Sequence, residues 1–156
     1  MDDQLTLIQD TREVLGYGDL FSIPYEVGTI ETGDYSLRGC ETLVAVERKS
    51  LADLVGSLTQ DRRRFEDEMK RSRLLHRFWV VVESSPRKIL HGAYRSAASP
   101  QSIWESLVAF TVRYGCFLFA HDREYGAKLT QSLLTKYYQQ HVKVVQAVAR
   151  ATKGKS

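Results

Sequence analysis

The sequence lacks long apolar runs and has few of the residues that build disulfide or zinc sites. No stretch approaches the roughly 20 consecutive apolar residues that a membrane-spanning helix needs. The 2 cysteines, Cys40 and Cys116, lie far apart, and none of the 4 histidines stands at a metal-ligand spacing. We therefore expect reduced thiols in a reducing compartment. The start, MDDQLTLIQD, lacks the basic and apolar segments of a secretory signal, which predicts a cytoplasmic protein with no membrane association.

The composition is that of one soluble globular domain. The chain has 156 residues, of which 43% are apolar and 26% are charged. A chain of this length can bury a core without disulfides or metals. Its net charge of +3 permits a nucleic-acid partner without requiring one. We expect one domain at 1–145 and a disordered basic tail at 146–156.

The pattern of apolar residues predicts strands first and then alternating helices and strands. The predicted strands are 5–9, 22–30, a short segment after the turn TGDYSL, 40–48, 77–83 and 116–120. The predicted helices are 50–58, 61–75, 100–114 and 122–141. Because three or four strands fill the first fifty residues, we expect a meander there. The whole order predicts an α/β fold, a mixed β-sheet flanked by helices.

A cluster of charged residues follows directly on a buried strand. The apolar run LVAV ends in Glu47, Arg48 and Lys49, and Ser50 then begins a helix as its N-cap. Charges at such a position cost several kcal/mol unless they are paired, hydrogen-bonded or bound to metal. Catalytic chemistry is one reason to keep them there.

Twelve residues separate Asp34 from Glu47, enough for a short strand, a turn and a return strand. An antiparallel pairing of these strands would bring the two carboxylates together. Adjacent carboxylates repel each other unless a cation lies between them, and their hard oxygens suit Mg²⁺ or Mn²⁺. Asp34 and Glu47 are therefore candidate metal ligands.

Lys49 completes this candidate site. It lies two residues beyond Glu47, and side chains alternate along a strand, so both project to the same face. A lysine beside a metal-bound water could orient the water or stabilise the charge that develops on a phosphate. Taken alone, the Glu-x-Lys pattern also fits any solvated strand end.

The order of the charged motifs resembles that of a known nuclease family. The segments DTRE (10–13), GDY (33–35) and VERKSLADL (46–54) resemble the nuclease domain of XPF-type structure-specific endonucleases, whose hallmark is GD followed by ERKxxxD. GSLTQDRRRF and FWVVVES are similar to the segments that follow the motif. The later YRSAASPQSIWESLVAFTVRYGCFLFAHDREYGAKL resembles the bacterial and phage branch of the family. The resemblance covers about 5–140.

The resemblance implies a restriction-endonuclease-like core that hydrolyses DNA with Mg²⁺ or Mn²⁺ near junctions, flaps or forks, commonly as a dimer. It implies metal binding by Asp34 and Glu47 with support from Asp10, and action of Lys49 on water and phosphate. It adds a charged shell of four residues, which are Arg12, Glu13, Arg48 and Asp53. The DNA-contacting residues that it implies are Arg12, Arg48 and Arg62.

The resemblance leaves the substrate and the host pathway open. Larger family members carry a tandem helix-hairpin-helix module or a helicase that helps to select the DNA, and neither fits into 156 residues. A targeting partner is unknown. Two other functions stay open, a catalytically silent DNA-binding or dimerisation module and a nuclease that acts on ordinary duplex DNA.

Two further groups of residues have two interpretations each. Arg62, Arg63 and Arg64 could contact phosphates, but each has an acidic residue four positions later, as in solvated helical ion pairs. The aromatic residues of 101–119 could stack on bases, although their density favours a core or a dimer surface. We expect a homodimer through 101–140, because the 100–114 helix is apolar around much of its circumference.

Overall fold

The protein forms one six-stranded mixed sheet with helices on both faces. The structure is a computed structural model, and it describes residues 4–154. The strands are β1 (Leu7–Asp10), β2 (Tyr25–Gly28), β3 (Tyr35–Leu37), β4 (Val44–Ser50), β5 (Arg77–Glu83) and β6 (Phe117–Ala120). The helices are α1 (Leu51–Leu58), α2 (Arg62–Ser72), α3 (Pro86–Leu90), α4 (Pro100–Tyr114), α5 (Arg123–Tyr137) and α6 (Lys143–Lys153). The predicted α/β class is confirmed.

The strand order is β2-β1-β3-β4-β5-β6, so the predicted meander is wrong. β1 runs antiparallel to β3, and β3 antiparallel to β4, but β2 pairs with the outer edge of β1 in parallel. The long segment 11–24, with a short 3₁₀ helix at Gly18–Leu20, carries the chain back to the start of β1. A connection of this length permits a parallel pairing that a tight hairpin turn does not.

The side chains of β4 and β5 point alternately to the two faces of the sheet and belong to two separate hydrophobic cores. On one face, Ala45, Val80 and Val82 pack against α1, α2 and α4. On the other, Val46 and Val81 pack against Tyr17 and α5. The charged residues in the second half of β4 therefore project to different faces: Glu47 and Lys49 toward α2, and Arg48 toward Tyr17.

The helix boundaries follow the local signals in the sequence. Ser50, Ser99 and Asp122 each accept a backbone N–H bond as N-cap of the following helix. Gly115 ends α4 in the left-handed conformation, with φ of 61°. The segment 86–90, which lies between the predicted strand 77–83 and the predicted helix 100–114, is the short helix α3, capped by Ser85 and begun by Pro86.

The chain continues as a helix where the sequence predicts a disordered tail from 146. A π-helical turn, Tyr138–Val142, joins α5 to α6, which extends through Lys153. Good helix formers such as Ala, Gln, Lys and Arg fill this segment, and its valines lie on one stripe. Residues 155 and 156 of the predicted tail lie outside the described part.

The cysteines and the helices can also be compared with the predictions from composition. Cys40 and Cys116 are buried and free, as predicted. Among residues 4–154, no helix combines the length and the apolar character that a membrane span requires.

Candidate active site

Asp34 and Glu47 meet at one edge of the sheet because β3 and β4 are antiparallel. Tyr35 pairs with Val46, and the Asp34 amide donates to the Val46 carbonyl at 2.8 Å. Gly33 makes the turn into β3 with φ of 102°, and a Cβ there would come within 2.8 Å of the Ala45 Cβ. The backbone therefore requires glycine at position 33. The predicted approach of the two carboxylates is confirmed, since the Asp34 and Glu47 side chains are within hydrogen-bond reach of each other.

The two carboxylates hold protons more tightly than ordinary acids. Burial and then the charge of Glu13 raise the pKa of Asp34 to about 7, although the Arg48 amide, which donates to Asp34 Oδ2 at 2.7 Å, opposes the rise. Burial also raises the pKa of Glu47 well above its ordinary value, with added repulsion from Asp34 and Glu68. The site therefore carries excess negative potential that a cation would relieve.

Lys49 lies beside Glu47 on the same face of β4, as the alternation predicts. Its Nζ is 3.2 Å from Glu47 Oε1 and 4.8 Å from the centroid of the Phe65 ring. Phe65 is itself stacked on Phe110, with 5.1 Å between centroids. The carboxylates outweigh the effect of burial on Lys49 and raise its pKa, so the side chain is a fixed ammonium at neutral pH.

Arg48 projects to the opposite face and belongs to a separate hydrogen-bond network. Its guanidinium forms a bidentate pair with Glu83 and lies 3.8 Å from Glu13 Oε2. Tyr17 Oη donates to Glu83 at 2.6 Å, and Tyr35 Oη donates to Glu13 at 3.1 Å. This network holds the end of β4 against the loop after β1, and contact of Arg48 with DNA would compete with it.

The carboxylate of Asp10 organises its own loop. Its Oδ1 accepts from the Arg12 amide at 3.0 Å and from Arg12 Nε at 2.5 Å, and its Oδ2 accepts from the Ile30 amide at 2.8 Å. These bonds outweigh the effect of burial and lower the pKa of Asp10. The metal-ligand role expected for Asp10 would require some of these bonds to be given up.

Arg12 is the predicted DNA-contacting residue with the most accessible side chain. It is 69% exposed, yet its guanidinium is held by Asp10 and by the Ile30 carbonyl at 2.7 Å. Its hydrogen bond with Asp10 raises its pKa, and the negative charges of Asp34 and Glu47 raise that pKa further. A fixed, exposed guanidinium at the rim of the carboxylate pair is well placed to bind a phosphate.

Two other predicted site residues lie in different surroundings. Asp53 is exposed on the first turn of α1, and among residues 4–154 it forms no ion pair with Arg12 or Arg48. Arg62 of α2 contacts α1 and α4, because its guanidinium donates to the Leu58 carbonyl at 3.3 Å and to Ser106 Oγ at 2.9 Å. Its contact with DNA stays a prediction.

The arginine cluster of α2 forms only part of the predicted ion pairs. Arg62 pairs with Glu66 at 3.8 Å, but Arg64 pairs with Asp61 at 3.9 Å and Asp67 pairs with Lys70 at 3.7 Å. Glu68 faces Glu47 and Lys49 across the interface between sheet and helix.

The sequence predicts no role in the site for four residues of this region, which are Tyr17, Tyr35, Glu68 and Glu83, and it predicts for Glu68 only a helical ion pair. Of these four, Glu83 is the easiest to predict from the sequence, because it ends β5 beside Ser50 at the end of the parallel strand β4. The ends of adjacent parallel strands share one edge of the sheet. Glu68 had no such signal, since its approach depends on how α2 crosses the sheet.

Within residues 4–154, no group of three or more His, Cys, Asp or Glu side chains is arranged as a set of metal ligands. The donors of raised pKa that meet are two hard carboxylates, Asp34 and Glu47, and Glu68 of α2 lies beside Glu47. Mg²⁺ is commonly held by one or two carboxylates, with waters and substrate phosphates as its other ligands. The donor set therefore fits Mg²⁺ or Mn²⁺ without a third protein ligand.

The mixed sheet and the GD…ERK edge together define an XPF-type nuclease domain. The ERCC4 domain model matches residues 9–133, and the chain belongs to that family. XPF from Aeropyrum pernix has a similar fold, with a TM-score of 0.65 and 22% identity over 83% of this chain. The match spans 60% of the archaeal chain. No curated protein matches the sequence.

The raised pKa of Asp34 leads to a prediction about stability. The folded state binds this proton more tightly than the unfolded state, so the metal-free protein loses stability as pH rises from about 4 to about 7. Asp34→Asn removes the titration and keeps an oxygen that accepts from the Arg48 amide. We expect the variant to melt a few degrees above wild type at about pH 8 in EDTA, with no gain at about pH 4.

The measurement is a pair of thermal melts at each pH, repeated with Mg²⁺. Mg²⁺ should raise the melting temperature of wild type and leave that of Asp34→Asn unchanged. A variant that is less stable than wild type at both pH values would contradict the proton-binding account.

Proposed function

We propose that this protein is a metal-dependent DNA endonuclease that hydrolyses phosphodiester bonds at branched or junction-containing DNA. The observation that carries the proposal is the approach of Asp34, Glu47 and Lys49 at one sheet edge, two carboxylates of raised pKa beside a fixed ammonium. Membership of the ERCC4 domain family supports it.

Asp34 and Glu47 would hold one Mg²⁺ or Mn²⁺. A divalent ion there supplies an activated water and neutralises charge on the phosphate. Lys49 adds a positive charge within reach of the same position, stabilising the pentacovalent phosphate and orienting the attacking water. Arg12 holds the DNA backbone at the rim, and the network of Arg48 with Glu83 and Glu13 keeps the end of β4 in place.

A catalytically silent DNA-binding module is the second candidate. Such a module has no need of raised carboxylate pKa values beside a buried lysine, because these groups cost stability and bind DNA poorly. The retention of all three groups in one place favours the enzyme. A nuclease of ordinary duplex would use the same three groups, so only the choice of substrate separates it from the proposal.

The experiment that tests the function is a cleavage assay on matched substrates. Linear duplex, single strand, flap and fork share one labelled strand, and each is incubated with Mg²⁺, Mn²⁺ or EDTA. We expect metal-dependent cuts near the junction of flap or fork and no cleavage in EDTA. Equal cleavage of linear duplex would support the duplex nuclease, and binding without cleavage under every metal would support the silent module.

We also propose that the protein acts as a homodimer through the 101–140 region. Trp104, Val108 and Val112 recur every four residues on α4, and Val112 is 82% exposed. β6 adds an open edge to the same region. Leu134 and Tyr137 of α5 are instead buried against the sheet. The surface available for a partner therefore consists of α4 and β6.

Val112→Glu should convert the dimer to a monomer without loss of helicity. The introduced charge would be desolvated at an apolar interface, which costs several kcal/mol. Leu74→Glu is the matched control, since Leu74 is 86% exposed and lies outside the region. Sedimentation at micromolar concentration measures both, and a monomeric wild type would contradict the proposal.

A further inference from the structure

A groove that the nuclease reaction does not use opens beside the active-site edge. It has a volume of about 900 Å³ and lies between α1, the end of β5 and the segment 92–99. Leu51, Val55 and Tyr94 form its apolar wall. Since ligand sites of about 300–1,000 Å³ hold small organic molecules, the groove has room for at least one nucleotide.

Two basic side chains line this groove and are available to a ligand. Lys88 and Arg95 are exposed, and neither forms an ion pair within residues 4–154. The groove contains one carboxylate, Glu83, whose oxygens are occupied by Arg48 and Tyr17. The groove therefore attracts anions.

A buried hydroxyl without a partner lies in the wall of the groove. Ser84 is 1% exposed, and its Oγ has no hydrogen-bond partner in the described part of the chain. A buried polar group left unpaired destabilises a fold, so such groups usually have a partner. Rotation about χ1 is sufficient for a serine to present its hydroxyl to an atom bound in the groove.

Tyr94 offers a fixed aromatic surface to the same space. Its Oη donates to the Ala98 carbonyl at 3.1 Å, and the ring also packs against the core. An aromatic ring held in one orientation stacks on a base at a low entropic cost. Bases are available for stacking in this way only when they have left a duplex.

The groove adjoins the proposed cutting position through the strand register. Ser50, at the end of β4, pairs with Glu83, and Leu51 of the groove follows it directly in the chain. The groove therefore begins two residues along the chain from Lys49, at the same edge of the sheet.

We propose that this groove binds an unpaired DNA strand next to the scissile phosphate. Lys88 and Arg95 bind its phosphates, Tyr94 stacks on a base, and Ser84 donates to a phosphate or base oxygen. The inference rests on the proposed function, because it assumes that the chain acts on DNA. It adds a specific site for the unpaired part of the substrate.

The test measures binding of a labelled single-stranded oligonucleotide by anisotropy in EDTA, where no cleavage occurs. The double variant Lys88→Ala/Arg95→Ala should bind about tenfold more weakly. Its plot of log affinity against log salt should be less steep by about 1.4, at about 0.7 for each lost phosphate contact. Arg87→Ala is the matched control, because Arg87 precedes Lys88 on α3 and lies outside the groove.

Two more variants separate stacking from charge. Tyr94→Phe should bind about as well as wild type, and Tyr94→Ala should lose about tenfold in affinity with an unchanged salt slope. Binding of blunt duplex should change little in all these variants. A double variant that binds single strand like Arg87→Ala would overturn the proposal, as would an equal loss on duplex, which indicates a general phosphate contact.

The outcome for the groove is independent of the outcome for the nuclease. If the double variant cuts branched DNA like wild type and binds single strand normally, the groove assignment fails and the nuclease stands. If wild type binds single strand through the groove but cuts no substrate, the nuclease fails and the chain is a binding module.

Discussion

Asp34→Ala and Glu47→Ala will each reduce cleavage by roughly a thousandfold or more while folding and DNA binding persist. Each substitution removes one of the two carboxylates that meet at the sheet edge, and with it one of the two proposed protein ligands of the metal. Folding should survive because neither side chain fills the apolar core, and the loss of Asp34 removes a buried charge. Cleavage is measured on the best substrate of the panel under single-turnover conditions.

Calorimetry with Mn²⁺ provides the readout that a folding defect cannot mimic. Both variants should lose metal binding and retain wild-type circular dichroism and DNA affinity in EDTA. Glu31→Ala is a suitable control, since Glu31 is an exposed carboxylate on the loop before Asp34. Full cleavage by either Asp34→Ala or Glu47→Ala in the presence of metal would refute the mechanism.

The central part of the site was predictable from strand geometry alone. The strand at 77–83 has the bounds that its apolar run predicts, and the period of two along β4 places Glu47 and Lys49 on one face. The same period places Arg48 on the other face, where it meets Glu83. The family resemblance implies a DNA contact for Arg48, whereas the alternation along the strand turns its side chain away from Glu47 and Lys49.

The missed residues depend on contacts between elements that are distant in the chain. Tyr17 reaches Glu83 from the segment 11–24, which connects β1 to the parallel strand β2. Gly126 of α5 permits this contact, since a Cβ there would lie 2.3 Å from Tyr17 Oη. Neither the parallel return nor the close approach of α5 leaves a local pattern, so a sequence alone cannot supply them.

The charged residues of β4 therefore form two groups, one on each face of the strand. The face toward α2 carries Glu47 and Lys49, whose pKa values are both raised, one by burial and the other by neighbouring carboxylates. The opposite face carries Arg48 in a closed network of ion pairs and tyrosines. The proposed catalytic residues Glu47 and Lys49 and the ion-paired Arg48 are thus neighbours in the chain that project to opposite faces of the sheet.

Lys49→Met should lose cleavage by about two to three orders of magnitude while keeping its affinity for metal. Methionine keeps an unbranched apolar stem against Phe65, so the substitution removes the ammonium with little change in packing. Because Lys49 lowers the pKa of Glu47, its loss will raise that pKa further. Metal affinity must therefore be compared at an alkaline pH, about 8.5, where more of Glu47 is ionised than at neutral pH.

Lys49→Arg tests geometry, since a guanidinium keeps the charge but cannot occupy the position of Nζ, and it should recover only part of the activity. Calorimetry that showed loss of metal binding in Lys49→Met at this pH would refute an action on water and phosphate, as would a cleavage rate within a factor of about three of wild type.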